Sequence, residues 1–440
     1  MNKVLVANRG AIARRVIRAC NELGLESVAV YSEADIGAPY LAEASQTYAL
    51  AGHSATETYL NQERLLDVLE HSGAQGVHPG YGFLSESADF ARAVQGAGKT
   101  FIGPAPEWLD RMGDKVAARA LMSQEGFPTF PGSDLITDIE QAKETAELIG
   151  YPVLVKPTGG GGGMGMERVD SPHALEHAIA RSRTIAQSAF ASGGIYLEKW
   201  VTQPRHIEFQ IIADNNGRSA HVFERECSIQ RRNQKLIEES PAPGLPAETL
   251  LAVAEQGATV CTHLGYNNLG TLETLLSEDG VFGFLEMNTR IQVEHGVTEE
   301  VTGLDLVGLQ IKLAQGEHLP QSPQRSGFAI EARVYAEDAV TLLPSTGRLA
   351  VFRLPEMYGV RVETGFQEGQ SVTPYYDALL AKVIAKGHTR EIAIGRLSIA
   401  LKAFAIEGVA TNIPLLQRVL LDERFLDGKI DTGLLDSIRH

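Results

Sequence analysis

The sequence predicts an α/β unit at the N-terminus followed by a mixed α+β region, and three observations carry that expectation. Short β-branched runs alternate with amphipathic stretches through residues 3–102, five consecutive glycines (Gly159–Gly163) follow an apolar strand pattern, and the second half reads as paired strands with isolated helical patterns. At 440 residues the chain has room for two or three domains, because a single core rarely grows past ~250–300 residues.

Taken in order, Lys3–Asn8 reads as a strand, 11–23 as a helix closed by Gly24, and Ser27–Tyr31 and Gly76–His78 as strands. A helix over 86–97 and a strand over Thr100–Ile102 complete the rhythm of a parallel α/β unit. Pro104, Pro106, Pro128, Pro131 and Gly132 then punctuate the chain and mark a boundary. Thr137-Asp138-Ile139-Glu140 has the spacing of a capping box, its helix stops at Gly150, and Pro152–Lys156 reads as a strand running into the glycines. A small unit beside a glycine hinge is expected to move as a lid. Beyond residue 204, Ile207–Ala213 and Phe284–Met287 suggest antiparallel sheet, with helices near 247–263 and 390–404. The expected division is 1–112, a connecting helix over 113–129, a lid over 130–203, and 204–440.

The formal charge of -16 repels a phosphate backbone, so nucleic acid is an unsuitable partner and any nucleotide must be held locally, with metal. No apolar run approaches the ~18 residues of a membrane span, and the start, Met1-Asn2-Lys3 with only Val4–Ala7 behind it, is too short for a signal peptide. A cytoplasmic location is expected. Cys20, Cys227 and Cys261 are scattered and odd in number, which reads as reduced core thiols and not as a disulfide frame or zinc cluster.

Two segments invite a phosphate. Ala93–Thr100, AVQGAGKT, nearly matches a P-loop, but it follows a helix and precedes a strand, the reverse of the required order, and reads as a helix-ending turn. Lys156-Pro157-Thr158 instead leads from a strand into the glycines, where backbone N–H groups can close on phosphate oxygens with a lysine charge beside them.

The most informative stretch is Gly270–Thr298. Asp279-Gly280 between apolar runs predicts a two-residue hairpin loop, which sets Glu273 directly opposite Glu286. Facing carboxylates ~5 Å apart repel, and a hard cation such as Mg2+ is the economical neutraliser. If the second strand stays extended, Glu286, Asn288, Arg290, Gln292 and Glu294 share its polar face, giving a metal site at one end, an anion site further along, and a base in Glu294.

At this point the residues strongly resemble the biotin carboxylase family, over essentially the whole chain. The carrying motifs are NRGAIARRVIRAC (8–20), HPGYGFLSES (78–87), MGDK (112–115), KPTGGGGGMGM (156–166), EKW with PRHIEFQ (198–210), ERECSIQRRNQK (224–235), EMNTRIQVEH (286–295) and EARVYAED (331–338). The resemblance implies an ATP-grasp fold: a Rossmann-like N-terminal domain, a mobile glycine-rich lid and a C-terminal antiparallel-sheet domain. It also implies ATP contacts at Lys115, Lys156, Gly161, Gly162, Gly163, Glu198, Lys199, Val201, His206, Gln230 and Leu275, and Mg2+ (or Mn2+) ligands in Glu273, Glu286 and Asn288. Lys235, Arg290, Gln292, Val293 and Glu294 resemble the bicarbonate site, with Glu294, Arg290, Lys235 and Arg333 catalytic; Tyr81, Gly82 and Arg333 resemble the biotin site. Glu294 would deprotonate bicarbonate for attack on the γ-phosphate, and Arg333 would stabilise the biotin enolate. Implied partners are a biotin carboxyl carrier protein, since no Ala-Met-Lys-Met-like biotinylation site occurs, a carboxyltransferase subunit, and a second copy in a homodimer.

Two positions depart from the acetyl-CoA carboxylase-type pattern. Asn233 stands where RRHQK is usual, and Met164 where the glycine loop usually carries arginine; these, with 296–307 and 360–382, look more like urea carboxylases and lean toward a urea- or amide-type system. The rival readings are another ATP-grasp carboxylate–amine ligase, which would lack HPGYGFLSES and EARVYAED, and a catalytically silent nucleotide-binding regulatory subunit, which intact Glu294, Arg290, Lys235 and Arg333 oppose.

Overall fold

A computed structural model describes residues 1–159, 163–190, 193–320 and 323–438. The first five strands, β1 (Lys3–Val6), β2 (Glu26–Tyr31), β3 (Gln46–Ala49), β4 (Gly76–His78) and β5 (Thr100–Phe101), form an all-parallel sheet in the order β3-β2-β1-β4-β5. The apolar side chains of β1, β2, β4 and β5 are mostly buried, on both faces in the central strands, as parallel sheets require. β3 and the helix Gln62–Ser72 were not legible in the sequence: β3 has only four residues, alternately half-buried and exposed. The strand order reverses between β1 and β4, so ligands are expected outside their carboxyl ends. Asn8 and Tyr81 meet there, with the Asn8 amide donating to the Pro79 and Tyr81 carbonyls at 2.7 and 2.8 Å. The P-loop look-alike is, as expected, the end of the helix Ala88–Gly96 and a turn with Gly98 at φ +70°.

The segment 104–132 holds two helices, Pro106–Gly113 and Lys115–Gln124, the second capped by Asp114. A separate three-stranded antiparallel sheet follows, β7-β6-β8, from β6 (Val153–Pro157), β7 (Glu167–Val169) and β8 (Ile195–Lys199). It packs under the helices Ile139–Ile149 and Pro172–Phe190 around its own small core. The capping-box reading is one residue early. Asp138, not Thr137, caps the helix by accepting from Gln141 N at 2.9 Å, and the Gln141 side chain reaches back to Thr137 N. Gly161 and Gly162 lie outside the described residues.

The platform of the molecule is one eight-stranded antiparallel sheet in the order β13-β12-β9-β10-β11-β14-β19-β17. Its strands are β9 (Arg205–Ala213), β10 (Ser219–Arg231), β11 (Gln234–Ser240), β12 (Asn268–Leu276), β13 (Phe282–Asn288), β14 (Phe328–Tyr335), β17 (Val360–Thr364) and β19 (Leu379–Gly387). Two small ribbons, β15 (Gly347–Arg348) with β18 (Ser371–Val372) and β16 (Val351–Arg353) with β20 (Ala405–Glu407), flank it. One face packs against the helices Ala247–Leu264 and Arg390–Ala403. The ladder carries bulges in β10, between β12 and β13, and between β14 and β19. Among the described residues no helix is long and apolar enough to cross a membrane.

Candidate active site

The β12–β13 hairpin sets the first half of the site. Ser277 pairs with Val281 across a three-residue loop, Ser277 N to Val281 O being 2.9 Å, so the two-residue loop expected at Asp279-Gly280 does not form. That shifts the register by one, and a bulge at Leu285 shifts it back: Thr274 faces Phe284, but Glu273 faces Glu286. The predicted pair is therefore present through two compensating irregularities. Beyond Asn288 the expected extended strand also fails. Residues 289–294 turn as a loop, and Glu294 sits at the N-cap of the helix His295–Thr302.

The loop nevertheless converges on β12. Arg290 donates to Asn288 Oδ1 at 2.7 Å, to Gln292 Oε1 at 3.0 Å and to Glu86 Oε2 at 2.9 Å. Gln292 and Asn288 donate to Glu273 Oε1 at 3.0 and 2.8 Å, while His206 Nε2 lies 2.9 Å from Glu273 Oε2.

Lys235 is the hub. Its ammonium lies 2.6 Å from Glu208, 2.9 Å from Glu273 and 2.6 Å from Glu294. β11 and β12 are three strand spacings apart in the sheet, roughly 14 Å if it were flat. A 2.9 Å contact between their side chains requires the sheet to curl over this face, and the bulges in β10, between the two strands, provide the curl. Lys235 is placed by the β10–β11 turn, where Arg231 pairs with Gln234 and both loop residues, Arg232 (φ +48°) and Asn233 (φ +63°), are left-handed. That geometry explains an asparagine at 233. The Asn233 amide abuts the glycine loop: a Cβ added to Gly163 (φ +77°) would collide with it.

On the far side Arg333 of β14 lies 3.0 Å from Glu294 Oε2 and 2.5 Å from Glu238. Burial raises the Glu294 carboxyl, but Lys235, Arg333 and Arg225 outweigh it and hold it well below the usual carboxylate range. Glu273 follows the same pattern: burial raises it, and Lys235 and His206 bring it down. Both are thus ionised at neutral pH. Glu238 and Glu331, opposite each other on β11 and β14, are offset only in part, by Arg333 and by Lys382 respectively; burial pushes them up to about 7 and about 8.

These groups line a cavity of about 630 Å3 that brings together Tyr81, Gly82, His206, Lys235, Glu273, Glu286, Asn288, Arg290, Gln292, Val293, Glu294 and Arg333. The other predicted residues stand behind it or toward the small sheet. Lys115 reaches Glu286 at 3.3 Å, Gln230 holds His206 Nδ1 at 2.7 Å, and Leu275 pairs with His206 across β12 and β9. Lys156 pairs with Glu198 at 2.7 Å; Val201 follows β8; the Lys199 ammonium donates to the Gly150 and Tyr151 carbonyls at 2.8 and 3.2 Å. The facing Glu273 and Glu286 carboxylates supply hard oxygen donors that fit Mg2+, whereas the Asn288 amide turns its N–H to Glu273 and its carbonyl to Arg290 and would have to turn over to add a third.

Residues 1–109 match the family described as "Biotin carboxylase, N-terminal domain", 114–322 "Carbamoyl-phosphate synthase L chain, ATP binding domain", and 331–437 "Biotin carboxylase C-terminal domain". Biotin carboxylase 2 of Bacillus subtilis is 45% identical over 437 residues, 98% of each chain. The chain belongs to the biotin carboxylase family. Another relative, the 2-oxoglutarate carboxylase small subunit of Hydrogenobacter thermophilus, is 44% identical over 443 residues, all of this chain and 94% of that one. The biotin carboxylase domain of that carboxylase, solved as a dimer with MgADP, ADP and bicarbonate, superposes with a TM-score of 0.97 at 43% identity, covering 100% of this chain and 98% of that one.

Against this biotin carboxylase frame, several site groups escaped the sequence reading. Glu208 and Arg225 form a fully buried ion pair behind Lys235, and Arg225 also donates to Gln210 and Thr298 at 2.9 Å. Polar residues at 206, 208 and 210, alternating with Ile207 and Phe209 on β9, were the available signal. Cys20 and Cys261 are buried core thiols, whereas Cys227 stands in the site wall, 3.9 Å from Glu294 Oε1.

Proposed function

We propose that this biotin carboxylase loads CO2 onto biotin presented by a separate carrier protein, with Glu294 as the base and Lys235 as the group that joins the two halves of the reaction. The observation that carries the reading is the single Lys235 ammonium lying within 3 Å of both Glu294 and Glu273. Glu294, kept ionised, takes the bicarbonate proton, and the resulting carbonate oxygen attacks the γ-phosphorus of ATP, releasing ADP and forming carboxyphosphate. Carboxyphosphate breaks to CO2 and phosphate. The phosphate removes the ureido N–H proton of biotin, and the enolate attacks CO2. Arg290, Gln292 and Val293 would hold the bicarbonate, and Arg333, beside Tyr81 and Gly82, would stabilise the enolate; fixed charges aimed at developing negative charge are commonly the largest catalytic contribution.

Glu273, Glu286 and Asn288 would hold Mg2+, which neutralises charge on the phosphates. Lys115, Lys156, Glu198, Lys199, Val201, His206, Gln230, Leu275 and Gly161–Gly163 would contact ATP. The five-stranded, three-stranded and eight-stranded sheets, each within its own segment, support the division 1–112, 113–129, 130–203 and 204–440. Relatives named as subunits support a separate carrier and carboxyltransferase, and the dimer of the Hydrogenobacter domain supports a homodimer. The test is ATP hydrolysis dependent on bicarbonate and stimulated by biotin. Glu294→Gln, which keeps shape and removes basicity, should lower turnover at least ~100-fold while sparing ATP binding. Undiminished carboxylation by that variant refutes the base assignment.

A further inference from the structure

Once the extended strand ends at Asn288, the carbonyls of 291–294 have no ladder partner, and a buried carbonyl must find a donor elsewhere. Arg290 donates to Ile291 O at 3.3 Å, His295 Nδ1 meets Gln292 O at 2.7 Å, and Val297 N donates to Glu294 O at 3.3 Å. Because a carbonyl only accepts, His295 carries its proton on Nδ1; burial, followed by Lys382, lowers this imidazole to about 4 and keeps it neutral. The remaining carbonyl, Val293 O, accepts from the Lys382 ammonium in a short hydrogen bond.

Lys382 is fully buried on β19, between Arg333 of β14 and Glu363 of β17 in register. It lies 2.7 Å from Glu363 and 3.6 Å from Glu331. Two adjacent cross-strand cations therefore grip consecutive residues of the loop. Arg333 holds the Glu294 carboxylate, and Lys382 holds the peptide on the N-terminal side of Glu294. A lysine this deep loses its hydration, which only the facing carboxylates and the carbonyl replace.

We infer that Lys382 is a positioning residue for biotin carboxylation: through the Val293 carbonyl it fixes the peptide joining Val293 to Glu294 and so aims the Glu294 side chain into the anion pocket. This rests on the reading of Glu294 and Val293 given above. Lys382 touches no reactant, and its removal should be felt by bicarbonate and not by nucleotide. Lys382→Met is expected to raise the KM for bicarbonate at least ~10-fold and lower kcat, with the KM for ATP changed less than ~2-fold; Lys382→Arg, which restores a donor, should recover part of the loss.

Because Lys382→Met takes one of its two close cations from the buried Glu363 carboxylate and leaves it Arg361, the double variant Lys382→Met, Glu363→Gln separates folding from positioning. It should regain thermal stability yet keep the raised bicarbonate KM. If bicarbonate KM recovers together with stability, or if ATP and bicarbonate KM rise equally in the single variant, the inference is overturned. An unchanged bicarbonate KM in Lys382→Met while Glu294→Gln is inactive sinks this inference alone; an active Glu294→Gln sinks the reading beneath it.

Discussion

Replacing Lys235 with methionine keeps length and removes the charge shared by Glu208, Glu273 and Glu294. Each loses a contact of 2.6–2.9 Å, and each keeps another: Glu208 its pair with Arg225, Glu273 its bonds from Asn288 and Gln292, Glu294 its pair with Arg333. Breaking a buried pair by removing one partner costs about 3–5 kcal/mol, and at roughly 2–4 °C per kcal/mol for a unit of ~200 residues the apparent Tm should fall by roughly 6–20 °C near pH 7.5. The pH dependence gives the sharper check. A carboxyl depressed in the folded state contributes stability that is present above its unfolded value of about 4.3 and lost as pH falls through the folded one. Lys235 is the largest of the charges that depress Glu273 and Glu294, so the variant forfeits that contribution at neutral pH. Burial, the largest influence on both carboxyls, then acts with less to offset it, so protonation in the folded variant relieves the loss, and thermal unfolding followed from pH 8 to pH 5 should show the gap to the parent narrowing on acidification. A variant as stable as the parent at pH 7.5, or a gap that widens toward pH 5, refutes the reasoning.

Two further outcomes follow from the same geometry. Glu286→Gln removes one hard donor from the pair facing across β12 and β13, and the Mg2+ concentration for half-maximal ATP hydrolysis should rise at least ~10-fold; an unchanged Mg2+ titration speaks against a metal there. Glu331 is pushed up to about 8, chiefly by burial and partly offset by Lys382, so its folded form prefers the proton and stability is lost as pH rises through that value. The loss begins at the unfolded value of about 4.3, so Glu331→Gln should come nearest the parent Tm at pH 5 and exceed it most at pH 9, and an equal difference at both would contradict this.

The parallel unit was legible because each buried strand is a compact apolar run between helical patterns; β3, short and half-exposed, had no such run to show. Glu273 facing Glu286 was reached by counting, yet the count assumed a two-residue loop and an unbroken ladder, and neither forms. Bulges have no dependable signature in one sequence, because they answer to tertiary curvature. For the same reason the convergence of Arg290, Gln292 and Glu294 could be expected as a shared face, but its real cause, a loop pinned by His295 and Lys382, could not. Lys382 stands on β19 among Ala381, Val383 and Ile384, where nothing local distinguishes it from a solvated lysine; only its neighbours on two other strands give it work.

The curl of the eight-stranded sheet has a bearing on how such an enzyme can change. On the function proposed above, phosphate would be cleaved near the β12–β13 edge and the acceptor would meet Arg333 on β14, so the reach from one event to the other would be set by backbone curvature more than by any one side chain. An acceptor bulkier or shorter than biotin would demand a different arc. Relocating a single bulge in β10 would do more toward that than exchanging residues along the cavity wall.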